Sequence, residues 1–238
     1  MTNKGLKAGG CMDSVVVVFP GSNREKDMAD AIERVAGTRP RLLWHKDTEI
    51  GNPDLIVLPG GFSYGDYLRC GAIAAHSPVM KEVIRLANGG TPLLAVCNGF
   101  QMLVETRLVP GALLRNASLK FICKDVHLRL ENNSDTFTSS MKTGDIMTVP
   151  VAHGEGNYVV SADTLKALND NGQVAFRYCD AFGIQNVDIN GSTDAIAGVY
   201  NESKTILGMM PHPEDATDET LGNASARPFF DGIAKILR

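Results

Sequence analysis

The sequence predicts an α/β fold: a mostly parallel central sheet flanked by helices, with a small antiparallel β elaboration. Three observations predict it. Short unbroken apolar runs alternate with amphipathic stretches from Val15 onward, several of those runs stop at Pro-Gly or Gly-Gly, and the middle of the chain changes to β-rich runs separated by polar turns. An unbroken apolar run suits a strand covered on both faces, and strands alternating with helices are the pattern of parallel crossover units.

Taken in order, Val15-Val16-Val17-Val18-Phe19, stopped by Pro20-Gly21, predicts a strand buried on both faces. Residues 23–36 carry Met28, Ala31, Ile32 and Val35 at helical spacing and close at Gly37. Arg41-Leu42-Leu43-Trp44 reads as the second strand, and Leu55-Ile56-Val57-Leu58, stopped by Pro59-Gly60-Gly61, as the third. Residues 79–87 are helical, with Asn88-Gly89-Gly90 as terminator. Leu93-Leu94-Ala95-Val96 is a fourth buried strand, and Cys97 stands directly at its end. Within residues 117–160, the runs 119–122, 126–130 and 146–149 supply the antiparallel part. Residues 195–199 and 206–210 predict a late hairpin around Asn201-Glu202-Ser203, and residues 227–237 a closing helix.

Composition narrows the function classes. The 238 residues are 44% hydrophobic and 21% charged, with mean hydropathy −0.05. This globular profile excludes a disordered, collagen-like or coiled-coil chain. A chain of this length buries roughly 70% or more of its unfolded surface, so a self-sufficient core is expected. The net charge of −4 comes from 23 basic and 27 acidic residues without blocks of either sign, so there is no basic stripe to suggest a nucleic-acid partner. No apolar run approaches the about 20 residues of a membrane helix, so no membrane span is expected. Five cysteines at 11, 70, 97, 123 and 179 fit neither a CxxC metal pattern nor a secreted disulfide scaffold, and read as free thiols in a reducing cytoplasm. With no repeat, linker or low-complexity stretch, residues 14–238 are expected to form one domain. Residues 1–13 read as a disordered leader, without the apolar region of a signal peptide.

Three segments carry chemistry. Ala95-Val96-Cys97-Asn98-Gly99-Phe100-Gln101 follows a strand and opens a helix, the arrangement of a nucleophile elbow. A helix N-terminus lowers a thiol's pKa, and the N–H of Asn98 would face a developing oxyanion. Free cysteines are more often small apolar core residues, and Cys11, Cys70, Cys123 and Cys179 keep that reading; the strand-end position and Gly99 set Cys97 apart. Pro59-Gly60-Gly61-Phe62-Ser63-Tyr64-Gly65-Asp66 is glycine-rich enough to approach a ligand and supply a second oxyanion donor, though alone it is only a turn. Met210-Pro211-His212-Pro213-Glu214 follows the last strand; a His and a Glu two apart in an extended segment point the same way, giving a base and its orienter. His153-Gly154-Glu155 has the same spacing in a glycine-flanked loop, while His45, His76 and His127 read as surface or core residues.

The runs PGGFSYGDYLRCGAIAA, VCNGFQML, GALLRNASLKF, PVAHGEGNY and GMMPHPE together resemble the glutaminase subunits of phosphoribosylformylglycinamidine synthase. These are class I (triad) glutamine amidotransferases of purine biosynthesis, with a flavodoxin-like α/β fold. The resemblance runs from about Val15 to the C-terminus and is narrowed by GGFSYGD together with HGEGNY. It implies that Cys97 attacks the glutamine amide to form a γ-glutamyl thioester and release ammonia, with His212 as base and Glu214 as its orienting acid. It also implies that Gly60, Gly61 and Phe62 form the oxyanion loop, that the Asn98 N–H completes the hole, and that Gln101 contacts bound glutamine. No metal or cofactor is implied in this chain. ATP and Mg belong to a large synthase subunit that converts formylglycinamide ribonucleotide to its amidine, and a short bridging subunit completes the complex. Two positions depart from the family pattern: Arg24 follows Asn23 where a cysteine is common, and Ala95 replaces the usual first glycine of the elbow. The alternatives are a non-catalytic regulatory member of the fold and a cysteine hydrolase on a similar sheet; intact Cys97, His212 and Glu214 argue against the first.

Residues 1–11 show no periodic apolar pattern, so deleting them is expected to leave the melting temperature unchanged within error. A drop of several degrees would show that they pack on the core.

Overall fold

The structure, a computed structural model, describes residues 13–67, 69–184 and 187–237. Its first half alternates as predicted: β1 (Ser14–Val18), α1 (Glu25–Ala36), β2 (Arg41–Trp44), β3 (Leu55–Leu58), α2 (Pro78–Asn88), β4 (Leu93–Val96) and α3 (Asn98–Glu105). The second half holds β5 (Ala112–Leu114), β6 (Ile122–Leu130), β7 (Ile146–His153), β8 (Asn157–Val159), α4 (Ala162–Asp170), β9 (Val174–Cys179), β10 (Ile196–Tyr200), β11 (Ile206–Met209) and α5 (Arg227–Ile236).

Nine strands form one sheet in the order β2-β1-β3-β4-β11-β10-β9-β6-β7. The first five neighbours run parallel, and β11 pairs antiparallel with β10, after which every pairing is antiparallel. The antiparallel elaboration therefore continues the main sheet rather than sitting beside it; among the described residues, β5 and β8 alone form a separate two-stranded ribbon. Because β1, β3, β4 and β11 are parallel neighbours, their C-terminal ends share one edge. That is where open α/β sheets bind ligands.

The elements form where sequence and physics agree. α1 buries Met28, Ala29, Ala31, Ile32 and Val35, carries Glu25 and Asp27 in its first turn and Arg34 in its last, and closes at left-handed Gly37. It packs on α5. α2 begins at Pro78, where a missing N–H is harmless.

Two readings change, and α4, β5, β8 and β9 were not anticipated from the sequence. Residues 119–121, expected as strand, form a turn with Leu119 at φ 57°, and the strand starts at Ile122. α4 and β9 carried weaker signals. The α4 cap, Ser161 Oγ accepting from Thr164 N at 3.2 Å, is a single residue, and the apolar run of the fully buried β9 is interrupted by Arg177, which pairs with Asp194 at 2.7 Å. Asp13, placed in the leader, is tied to the sheet: its carboxylate accepts from Arg41 at 2.7 and 2.9 Å, and its N–H donates to Asp54 at 3.1 Å. The rest of the predicted leader, residues 1–12, lies outside the described residues. Among the described residues, no helix is long and apolar enough to cross a membrane.

The tightest joint is α3 on the sheet. A Cβ at Gly99 would lie 2.1 Å from the Leu58 carbonyl oxygen, whereas one at Gly37 would meet nothing within 4 Å. Gly99→Ala is therefore expected to lose about 3 kcal/mol of unfolding free energy through forced displacement of α3. Gly37→Ala, strained only by its φ of 74°, loses about 1 kcal/mol. Denaturant unfolding of both variants reads the difference; equal losses would show that α3 shifts freely.

Candidate active site

Cys97 joins β4 to α3 with φ 52° and ψ −108°, a conformation a non-glycine residue holds only when its surroundings impose it. Its N–H donates to the Met209 carbonyl at 2.8 Å, and its own carbonyl accepts from Gln101 N at 3.1 Å, opening the helix. The N–H groups of Asn98, Gly99 and Phe100 precede that bond and have no intrahelical acceptor. Cys97 is buried, and its Sγ lies 3.9 Å from the Ala152 carbonyl.

β11 delivers the base from the adjacent strand end. His212 N–H donates to the Pro150 carbonyl at 2.9 Å, and His212 Nδ1 lies 2.7 Å from Glu214 Oε1, both side chains being buried. The pair is not built as an extended segment: Glu214 falls in a 3-10 turn, Pro213–Ala216, that swings its carboxylate back to the imidazole. Burial pulls the His212 pKa down, but the Glu214 carboxylate and the Cys97 sulfur outweigh it and hold it well above its ordinary value. Cys97, His212 and Glu214 are thus brought together at one sheet edge.

The second pair resolves differently. Burial first, and then the charge of His212, push His153 down to about 4, so it is neutral. Its Nδ1 lies 3.0 Å from Asn116 Oδ1, which also accepts from Gly156 N at 3.1 Å, so that oxygen is an acceptor and Nδ1 carries the proton. Glu155 turns away from His153, with Oε2 accepting from Cys70 N at 3.4 Å and Oε1 3.7 Å from Arg115. His153-Gly154-Glu155 is therefore not a base with its orienter.

The loop after β3 contributes by shape. A Cβ at Gly60 would lie 2.7 Å from His212 Cε1, so only glycine lets the loop pass the imidazole. Gly61 bridges to Ser22. Phe62 departs from its expected place in the hole: its N–H donates to the Gly21 carbonyl at 3.0 Å, and its ring is 46% exposed. Gln101 departs too, being a strut rather than a free contact. Asn98 Oδ1 accepts from Ser63 N at 3.1 Å, Asn98 Nδ2 donates to Gln101 Oε1 at 2.8 Å, and Gln101 Nε2 donates to the Glu155 carbonyl at 2.8 Å.

Cys97 opens on two clefts. One, of about 260 Å³, is lined by Cys97, Gln101, Asp66, Arg115, His153 and Glu155. The other, of about 370 Å³, is lined by Cys97, His212, Arg24, Asp215, Cys123 and Phe62. A larger groove, about 850 Å³ between the end of α3 and α4, shares no residue with this site. Cys70 is no rival nucleophile: burial and the Asp66 and Glu155 carboxylates push its thiol far up. Sequence reasoning missed Asp66, Arg115 and Glu155 as cleft residues, although all three sit inside the runs that carried the resemblance. Among the described residues, no group of three or more His, Cys, Asp or Glu side chains is placed to hold a metal ion.

Comparison with known proteins meets this geometry. Residues 12–230 match the CobB/CobQ-like glutamine amidotransferase domain. The chain is 52% identical over 229 residues to the phosphoribosylformylglycinamidine synthase subunit PurQ of Rhodopseudomonas palustris, covering 95% of this chain and 98% of that one. It is 50% identical to PurQ of Rhodospirillum rubrum, covering 95% of this chain and all of that one. A chain of the PurLQS structure from Thermotoga maritima superposes with a TM-score of 0.84 at 42% identity, covering 96% of this chain and 100% of that one. A glutamine amidotransferase from the same organism shares the fold at a TM-score of 0.61 and 14% identity, covering 96% of this chain and 99% of that one. The chain belongs to the PurQ family, the phosphoribosylformylglycinamidine synthase subunits built on a CobB/CobQ-like glutamine amidotransferase domain.

Proposed function

We propose that this chain hydrolyses glutamine to glutamate and ammonia at Cys97 and passes the ammonia to a large synthase subunit, which forms formylglycinamidine ribonucleotide. The observation that carries the reading is the 2.7 Å His212–Glu214 contact beside the strained Cys97 elbow. The Cys97 sulfur attacks the side-chain carbonyl carbon of glutamine, with His212 taking the thiol proton. The tetrahedral oxygen is held by the Asn98 N–H at the start of α3 and by the Gly61 N–H of the β3 loop. Collapse breaks the carbon–nitrogen bond, His212 protonates the departing amine, and ammonia leaves. Water, deprotonated by His212, then cleaves the γ-glutamyl thioester. Glu214 fixes the imidazole throughout.

The cleft of about 260 Å³ suits the rest of the substrate. A glutamine zwitterion presents one ammonium and one carboxylate, and this cleft offers the Asp66 and Glu155 carboxyls for the first and the Arg115 guanidinium for the second. Exposed Phe62, Tyr67, Leu119 and Phe121 lie in or beside the segments around the cleft and suit a face covered by the synthase subunit. We further infer that residues 14–238 act as one amidotransferase domain in the cytoplasm. A short bridging subunit completes the complex, and ATP and Mg are bound by the large subunit, whose chemistry consumes them.

Cys97→Ala in the assembled complex is expected to abolish glutamine-dependent synthesis, by more than about a thousandfold, while synthesis from added ammonium persists. Equal loss of both activities would make Cys97 structural. A second comparison separates the histidines. His212→Ala is expected to remove thioester formation, and Glu214→Ala to weaken it less, because orientation is secondary to proton transfer. His153→Ala leaves acylation measurable and impairs coupling to the synthase. Trapping the acyl-enzyme on each variant decides the matter; a block in His153→Ala with acylation spared in His212→Ala would reverse the assignment.

A further inference from the structure

Arg24 stands immediately ahead of α1, and its guanidinium crosses to the 3-10 turn that carries Glu214 and Asp215. Its Nη2 donates to Asp215 Oδ1, its Nη1 lies 3.3 Å from Asp27, and its Nε lies 3.9 Å from Glu214 Oε1. That same oxygen is the one 2.7 Å from His212 Nδ1. The Glu214 side chain is fully buried and that of Arg24 is 28% exposed. Two buried polar atoms without a hydrogen-bond partner, Arg24 Nε and Glu214 Oε2, belong to this same pair. The arginine stem is held as well: a Cβ at Gly60 would lie 3.2 Å from Arg24 Cγ and 2.7 Å from His212 Cε1, so stem and imidazole flank the loop together.

We propose that Arg24 is a positioning residue of the triad: its guanidinium holds the Glu214 carboxylate against His212 and supplies the opposing charge. The inference rests on the triad assignment above. Two alternatives fit the geometry less well. A surface ion pair would not bring Nε to a fully buried carboxylate, and an anchor for Asp215 alone would not need the stem beside the imidazole.

The consequence is electrostatic. The groups around His212 are Glu214 and Asp215 on its own turn, Cys97 from the elbow and His153 from β7, with Arg24 lining the same cleft from the start of α1 and Asp27 behind it, paired to Arg24 and acting on Asp215. His153 is neutral, so Arg24 is the fixed cation of the group. A cation near the Cys97–His212 pair eases loss of each of its protons, and removing it strengthens the hold on both. Loss of the Arg24 charge therefore moves both limbs of the pH profile in the alkaline direction.

The test measures kcat/KM for glutamine hydrolysis against pH in the complex with the synthase, which reports the titrating groups of the free site. The wild type is compared with Arg24→Gln, which keeps the stem to Cδ and an N–H donor near the position of Nε but removes the charge, and with Arg24→Lys, which keeps the charge. Both limbs are expected to move up by about 0.5 to 1 pH unit in R24Q and to stay near wild type in R24K. A merely structural arginine would lower the rate without moving the limbs. A profile of R24Q that superimposes on the wild type overturns the proposal, as does a shift in R24K equal to that in R24Q. Labelling of wild-type Cys97 by 6-diazo-5-oxonorleucine, read by mass spectrometry, separates the two levels. If Cys97 is not labelled, the triad assignment falls and this inference with it. If it is labelled and the R24Q profile is unmoved, this inference alone falls.

Discussion

The joint between α3 and the sheet constrains everything else in this site. Cys97 holds φ 52° and ψ −108°, a conformation that costs on the order of 1–3 kcal/mol unless its neighbours over-determine it. They do so from three sides. The Cys97 N–H is bound by Met209 of β11, Gly99 touches the Leu58 carbonyl of β3, and the Phe100 ring fills the space above Gly208 so closely that a Cβ there would lie 2.3 Å from it. The helix cannot retreat without breaking the first contact, nor advance without violating the other two. The thiol is therefore placed by the sheet, whose packing is rigid, rather than by a loop.

Around that fixed sulfur, the pKa values of two buried histidines are driven in opposite directions. His212 has a carboxylate 2.7 Å away and a sulfur beside it, and its pKa rises despite burial. His153 has an amide oxygen in place of the carboxylate, and burial with the His212 charge takes it to about 4. Environments that push two titratable groups apart are the usual mark of an acid–base assignment. The difference traces to chain direction. After His212 the chain winds into a 3-10 turn and returns Glu214 to the ring, whereas after β7 it turns so that Glu155 meets Cys70 and Arg115 instead.

The parallel core and the elbow were legible in the sequence because each depends on local signals: unbroken apolar runs, a Gly-Gly stop, a cysteine at a strand end. β9 was harder to read, since Arg177 interrupts an otherwise apolar strand and is neutralised by Asp194, a partner 17 residues away in sequence. The turn at Leu119 was misread because Leu119-Lys120-Phe121-Ile122 has strand composition, while Leu119 and Phe121 are 78% and 55% exposed. The triad was legible as three motifs, but its geometry was not. The His-x-Glu spacing suggested an extended pair; the place of His212 after a core strand favoured it over His153 in its glycine-flanked loop, and the fold adds that Glu214 returns to the ring while Glu155 meets Cys70 and Arg115. Arg24 registered as a departure from a family pattern, and its neighbours Glu214 and Asp215 lie about 190 residues further on, beyond any local signal.

Gln101 and Phe62 lie beside Cys97, where the resemblance expected them, but with their polar groups already engaged. Both line the clefts at Cys97, yet neither offers its polar groups freely. The Gln101 amide is engaged at both ends, by Asn98 and by the Glu155 carbonyl, and the Phe62 N–H by Gly21. Together with the Ser63–Asn98 bond, these contacts form a continuous chain from the β3 loop, across the first turn of α3, to the segment after β7. Asn98 is the pivot, since its oxygen serves one wall and its nitrogen the other. A displacement of Ser63 would leave a buried amide acceptor unmatched at Asn98, and the amide could recover it only by turning away from Gln101. The two walls of the cleft are thereby coupled through the helix that also carries the thiol, so the glycine-rich loop cannot move without a consequence at Glu155.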